Sequence, residues 1–124
     1  MIHIKSALLP LTSLRQLSLN FKNCTKFSDE GINHPKKAFS SLLCLQNLYV
    51  DFTSGKQITG KALSHLQNGL RTLPSLQYFQ LDMSYCKKLT DDSLDHLQKA
   101  ISLLVSLLGS RFIGMIVIKC QAKP

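Results

Sequence analysis

Four histidines, His3, His34, His65 and His96, recur every thirty-one residues, and four cysteines stand at Cys24, Cys44, Cys86 and Cys120. Imidazole and thiolate are common zinc ligands, so a metal centre is the first chemistry to test. The spacing argues against one, because no C-x-x-C pair or Cys/His ligand spacing is present. The histidines share one phase on stretches with helical patterning. Packed helices lie about 8–10 Å apart, too far for two imidazoles to reach one ion at about 2 Å each. They read as exposed helix residues. Cys24 and Cys86 hold the same phase two units apart, about 9–10 Å across a sheet. That exceeds the roughly 7 Å limit for a disulfide. The cysteines read as small buried apolar residues in a reducing compartment. No G-x-S-x-G, H-E-x-x-H or G-x-x-x-x-G-K-[ST] pattern occurs, so no enzyme activity, metal or cofactor is expected.

Charge offers more. The chain carries 15 basic and 7 acidic residues, a net charge of +8, which favours acidic partners. Lys22, Lys26, Lys56, Lys87 and Lys88 recur just after apolar-alternating stretches, and would line one basic rim able to attract phosphates or an acidic segment. No aromatics interleave with them and no nucleic-acid motif is present, so nucleic acid is not the expected partner. Asn20, Asp51 and Asp82 fall in one register and would form a ladder about 5 Å apart. Adjacent carboxylates repel, so a basic ligand would suit them, although a metal would need more oxygen ligands than one row supplies.

The elements that position these groups follow from a repeat. Three stretches run thirty-one residues apart: SLRQLSLNFKNCTKFSDEGI from Ser13, CLQNLYVDFTSGKQITGKAL from Cys44, and SLQYFQLDMSYCKKLTDDSL from Ser75. A fixed period decides architecture before local propensity does. LSLNF from Leu17, LYVDF from Leu48 and FQLDM from Phe79 alternate apolar with polar residues, which predicts strands with one buried face. A polar loop follows each, then an apolar residue (Phe27, Ile58, Leu89) and a helix N-cap at Ser28, Thr59 or Thr90. Leu63, Leu66 and Leu70, repeated as Leu94, Leu97 and Ile101, form a helical stripe. In the first copy Pro35 falls inside the expected helix, which predicts a restart with Pro35 at its first position. Strand, loop and helix repeated in one direction stack into a parallel sheet with helices on one side, a curved solenoid.

The pattern L-x-x-L-x-L, then Cys or a small residue, then an aliphatic residue with Thr or Ser, stands here as Leu14, Leu17, Leu19, Cys24, Phe27 and Ser28. In the third copy it is Leu76, Phe79, Leu81, Cys86, Leu89 and Thr90. These residues resemble leucine-rich repeats of the ribonuclease-inhibitor-like and cysteine-containing types, over roughly residues 8–104. The cysteine comes five residues after the last motif leucine instead of about three, and Phe21, Phe52 and Met83 fill the difference. The long period is similar to arrays in some protist proteins, sometimes attached to a kinase-like domain. Gly55 replaces the cysteine in the middle copy, so any polar contact of that residue is missing there.

The resemblance implies an α/β leucine-rich-repeat solenoid with strands on a concave side, helices on the convex side, and about three repeats plus partial ends. It implies an array over 1–108, with repeats near 11–41, 42–72 and 73–103, and a degenerate or truncated segment over 109–124. It also makes the outward strand positions the binding face: Gln16, Ser18 and Asn20; Asn47, Tyr49, Asp51 and Thr53; Tyr78, Gln80, Asp82 and Ser84. Tyr49 and Tyr78 are its best anchors, since tyrosine brings large area with a polar tip. The expected function is a non-catalytic scaffold binding a protein partner, an acidic one being favoured by the charge. An alternative is the recognition or regulatory region of a larger signalling protein or enzyme, because the chain enters one repeat midway and fades out of another. A third is membrane attachment through the apolar stretch 100–118, opposed by Arg111 in its middle. A strand near 115–118 covering the end of the array is the favoured account of that stretch. The N-terminus lacks a signal peptide's basic start, apolar run and small-residue cleavage site, which points to cytosol or nucleus and not secretion.

Overall fold

Each alternating stretch is a strand. The computed structural model describes residues 10–32, 35–89 and 115–119, together with Asp95, Lys99, Ser102 and Ser106. Strands β1 (Gln16–Asn20), β2 (Asn47–Asp51), β3 (Tyr78–Asp82) and β4 (Met115–Lys119) form one sheet in the order β1-β2-β3-β4. All three pairings are parallel, and Gln16, Asn47, Tyr78 and Met115 are successive register partners. The chain is therefore an α/β fold built on a parallel sheet.

The period governs hydrogen bonds as well as residues. Ahead of the strands, the Gln46 and Asn47 amides donate to the Arg15 carbonyl at 2.8 and 3.0 Å, and those of Gln77 and Tyr78 donate to Gln46 at the same distances. Beyond the strands, the Phe21 and Asn23 amides donate to the Asp51 and Thr53 carbonyls at 2.7 and 2.9 Å. Those of Phe52 and Ser54 repeat this on Asp82 and Ser84 at 2.7 and 2.8 Å. The ladder thus extends into the loops, which stack on one another as the strands do.

Connections between strands carry the helices. A 3-10 turn occupies Asp29–Ile32 and is followed by helix α1 (Pro35–Phe39), which starts on the proline as its fixed φ and missing N–H favour. Helix α2 (Gly60–Leu70) is capped by Thr59, whose hydroxyl accepts from the Lys61 amide at 3.2 Å. Its Ala62, Leu66 and Leu70 are buried in one cluster with Leu48, Val50, Phe79 and Leu81 of the sheet. Burying each leucine side chain contributes about 1.5–3 kcal/mol. Asp95, Lys99, Ser102 and Ser106 are helical and exposed, at the spacing of one helix face. The apolar residues expected opposite them, Leu94, Leu97 and Ile101, lie outside the described residues, as does the expected domain boundary near 108.

A second apolar layer lies under the loops. The rings of Phe21 and Phe27 stack at 4.1 Å, and Phe52 stacks on both, at 5.6 and 5.9 Å. Met83 is the buried residue at the same position in the third copy. This layer accounts for the extra apolar position in each repeat.

Three expectations need correction. The strands end one residue earlier than alternation predicts, because the side chain of their last residue bonds to the loop, as described below. Ser28 is not an α-helix N-cap: it forms a parallel bridge with Gln57 ahead of a 3-10 turn. Cys44 is exposed rather than buried; it shares its phase with Ser13 and Ser75 and not with Cys24 and Cys86. Strand β4 leaves the period. Tyr78 pairs with Met115, although a thirty-one-residue step would have delivered Gly109. The strand expected near 115–118 is present there, six residues later than the period alone would place it. Among the described residues no helix is long and apolar enough to cross a membrane, and most of 100–118 lies outside them.

Candidate functional site

Two neighbouring surfaces hold the candidate residues: the strand face turned away from the helices, and the loops where the strands end. On β1 the outward positions Gln16, Ser18 and Asn20 are exposed, while Leu17 and Leu19 between them are partly buried. On β2 and β3 the contrast is sharper. Leu48, Val50, Phe79 and Leu81 are buried, and Asn47, Tyr49, Asp51, Tyr78, Gln80 and Asp82 are half-buried on the other side.

Register decides which of these meet. Tyr49 is opposite Gln80 and Asn47 opposite Tyr78, so the two tyrosines are diagonal neighbours, within reach of large side chains. Their rings lie 5.3 Å apart with planes inclined at 42°. The Tyr78 hydroxyl donates to Gln80 Oε1 at 3.0 Å. Tyr49, Tyr78 and Gln80 thus form one cluster at the centre of the face, fixed by a ring contact and a hydrogen bond.

Thr53 and Ser84 do not belong to that face. They are only 9% and 5% exposed and lie beyond the last strand residues. The cause is the row Asn20, Asp51 and Asp82. Asn20 Oδ1 accepts from the Lys22 amide at 2.9 Å, Asp51 Oδ1 from Thr53 at 2.8 Å, and Asp82 Oδ1 from Ser84 at 2.9 Å. Such a side-chain-to-backbone bond two residues on is a local turn that competes with continued strand. The row is therefore in part a set of turn-forming acceptors, and it separates the face from the loops. Lys119 of β4 continues its register beside Asp82.

Past the turn the backbone becomes left-handed at the same place in each copy: φ is 61° at Asn23, 60° at Ser54 and 60° at Tyr85. Asparagine tolerates this region, whereas a bulky side chain there is uncommon. Tyr85 is nevertheless there, and 40% exposed. The sequence patterns gave it no role. The signal available was its alignment with Asn23, a residue type that favours positive φ.

All five rim lysines, Lys22, Lys26, Lys56, Lys87 and Lys88, are exposed in these loops. Lys88 Nζ donates to Gln57 Oε1 of the adjacent loop at 3.1 Å. On the helical side, Asp29 contributes a contact between repeats: its carboxylate accepts from the Thr59 amide at 2.9 Å and, through the other oxygen, from the Thr59 hydroxyl. It fixes the cap of the following repeat's helix. Cys86 Sγ donates to the Phe52 carbonyl at 3.1 Å, the kind of inter-repeat contact that Gly55 cannot make. A Cβ at Gly55 would meet the same Phe52 carbonyl and the Ile58 side chain, each at 2.9 Å.

Among the described residues no group of three or more His, Cys, Asp or Glu could hold a metal ion. His65 is half-buried on α2, and His3, His34, His96 and Cys120 lie outside the described residues. No protein-family profile matches the sequence, and no curated protein is similar to it.

Proposed function

We propose that this chain is a leucine-rich-repeat interaction module that binds a protein partner on its outward strand face and carries out no chemistry. The observation that carries the proposal is the Tyr49–Tyr78 contact, two amphipathic rings held against each other on a parallel sheet. Buried tyrosines at the centre of an interface bring large contact area at small entropic cost, and such residues dominate binding energies. Around them Gln16, Ser18, Asn47 and Gln80 supply hydrogen-bonding groups of both kinds. The solenoid assignment is supported by strands paired in chain order and by hydrogen bonds that recur at the sequence period.

The test is site-specific photo-crosslinking in cells that express the protein. A photoreactive residue at position 49 should give discrete protein adducts, and one at Ser64 or Asn68, exposed on α2, should not. Adding Tyr78→Ala should reduce adduct yield about tenfold or more, the loss expected for truncating one interface anchor. Equal adducts from both sides, or a yield indifferent to Tyr78→Ala, would remove the strand face as the binding site.

A further inference from the structure

We propose that the stacked loops beyond the strands form a second docking surface, a strip for an acidic polypeptide segment with Tyr85 as its aromatic contact. This surface is distinct from the strand face. The loops stack because the Asn23 and Ser54 amides bond to the Thr53 and Ser84 carbonyls, so equivalent residues are separated by a strand spacing, about 4.8 Å. Lys56 and Lys87 are such equivalents in adjacent loops. Lys26 and Lys88 are equivalents two loops apart, with Gln57 between them and bonded to Lys88. Among the described residues none of the five lysines has a carboxylate partner. Lys56 and Lys87 at this spacing repel one another, and an anion laid beside them and their neighbours Lys26 and Lys88 relieves that repulsion.

Tyr85 is the second, independent observation. A tyrosine at φ 60° occupies a region that side chains of its size rarely adopt. Outliers of this kind persist where the surroundings enforce them and cluster at functional positions. Here the strained residue is exposed and two residues from Lys87, so the strip offers an aromatic ring beside its charges.

An acidic polypeptide fits the strip better than a nucleic acid strand. Non-specific single-strand sites combine a basic groove with several aromatic platforms, and among the described residues this rim has one exposed ring and no arginine. On the sheet side the strip is bounded by Asp51 and Asp82, whose Oδ1 atoms are tied to the loop amides. One extended chain presents carboxylates on its near side and can run across the stacked loops beside these lysines. A lysine ammonium is a compact point charge on a flexible stem, suited to following such a chain.

The experiment measures fluorescence anisotropy of the intact protein with a fluorescein-labelled (Glu-Glu-Leu)5 peptide. Its glutamine counterpart and a twenty-nucleotide oligothymidylate serve as comparison probes. The glutamate peptide should bind saturably, and at least tenfold more weakly in 200 mM than in 50 mM KCl. The variant Lys56→Gln/Lys87→Gln/Lys88→Gln should lose at least tenfold in affinity, and Tyr85→Asn, which keeps a residue suited to positive φ, at least threefold. Tyr49→Ala/Tyr78→Ala should leave this binding unchanged, which separates it from the strand face. Charge reversal by Lys56→Glu/Lys87→Glu should create binding of a (Lys-Lys-Leu)5 peptide, which also controls for loss of folding in the neutral variant. Equal binding of the glutamine peptide, tighter binding of the oligonucleotide, or indifference to the lysine substitutions would each overturn the proposal.

Discussion

Replacing Phe52 by alanine should cost more stability than any change on the exposed face. The side chain is fully buried, at 0% exposure, and stacks on Phe21 at 5.6 Å and on Phe27 at 5.9 Å. Deleting a buried phenylalanine removes its transfer free energy and leaves a cavity that a stacked sheet closes poorly, a loss of about 3–5 kcal/mol. Each aromatic contact adds roughly 0.5–1.5 kcal/mol, in part already contained in that figure. At about 0.05–0.15 kcal/mol per residue, a chain of 124 residues has a total stability of about 6–19 kcal/mol. The substitution therefore removes a large fraction of it. With a urea slope of about 2 kcal/mol/M, the midpoint should fall by about 1.5–2.5 M in an equilibrium melt followed by circular dichroism.

Two comparisons make this specific to the layer under the loops. Phe52→Met installs the residue that the third copy uses as Met83, and should cost less than about 1.5 kcal/mol. A double-mutant cycle of Phe21→Ala with Phe52→Ala should show coupling of at least about 0.5 kcal/mol, because the two rings touch. If Phe52→Ala cost less than about 1.5 kcal/mol, or no more than Phe52→Met, the extra apolar position would be a filler and not a structural layer.

Two further substitutions test the turns and caps that tie the repeats together. Asp29→Ala removes a charged acceptor from both the amide and hydroxyl of Thr59. It should lower stability by about 1.5–3 kcal/mol and speed hydrogen exchange in the first turn of α2. Asp51→Ala removes the acceptor for the Thr53 amide and should cost about 1 kcal/mol. Asp51→Asn keeps an oxygen there, as Asn20 does, and should stay within about 0.5 kcal/mol of the original in the same urea melts.

Much of the architecture was legible because each repeat checks the others. Alternation in LYVDF and FQLDM located β2 and β3, Thr59 marked the start of α2, and Pro35 marked the start of α1. What escaped was decided by contacts that periodicity does not encode. Alternation treats Thr53 and Ser84 as continued strand, but the Asn/Asp side chain two residues earlier captures their amides and turns them inward. The bond from Thr59 to Asp29 crosses thirty residues, and its equivalent at Gly60 has no carboxylate to offer. The last strand was visible in outline yet out of phase. Its place near 115–118 was legible from the apolar run there, and Ile113, Ile116 and Ile118 repeat the spacing of Leu76, Phe79 and Leu81 six residues later than the period would set them.

The Asn20, Asp51 and Asp82 row links the two proposed surfaces physically. Each side chain ends its strand by accepting from the loop amide two residues on, and the loop then enters left-handed backbone and carries the lysines outward. The same atoms that bound the strand face therefore set where the basic strip begins. The carboxylates of Asp51 and Asp82 thus lie directly behind the lysines of the rim. A partner crossing both surfaces would meet alternating signs in a fixed order, which fixes its direction as well as its affinity. Asp51→Asn separates these roles: it retains the turn and removes one charge from the row. If the row orients a partner, that variant keeps its stability and the acidic peptide binds more tightly, since a repulsive carboxylate beside the strip is gone.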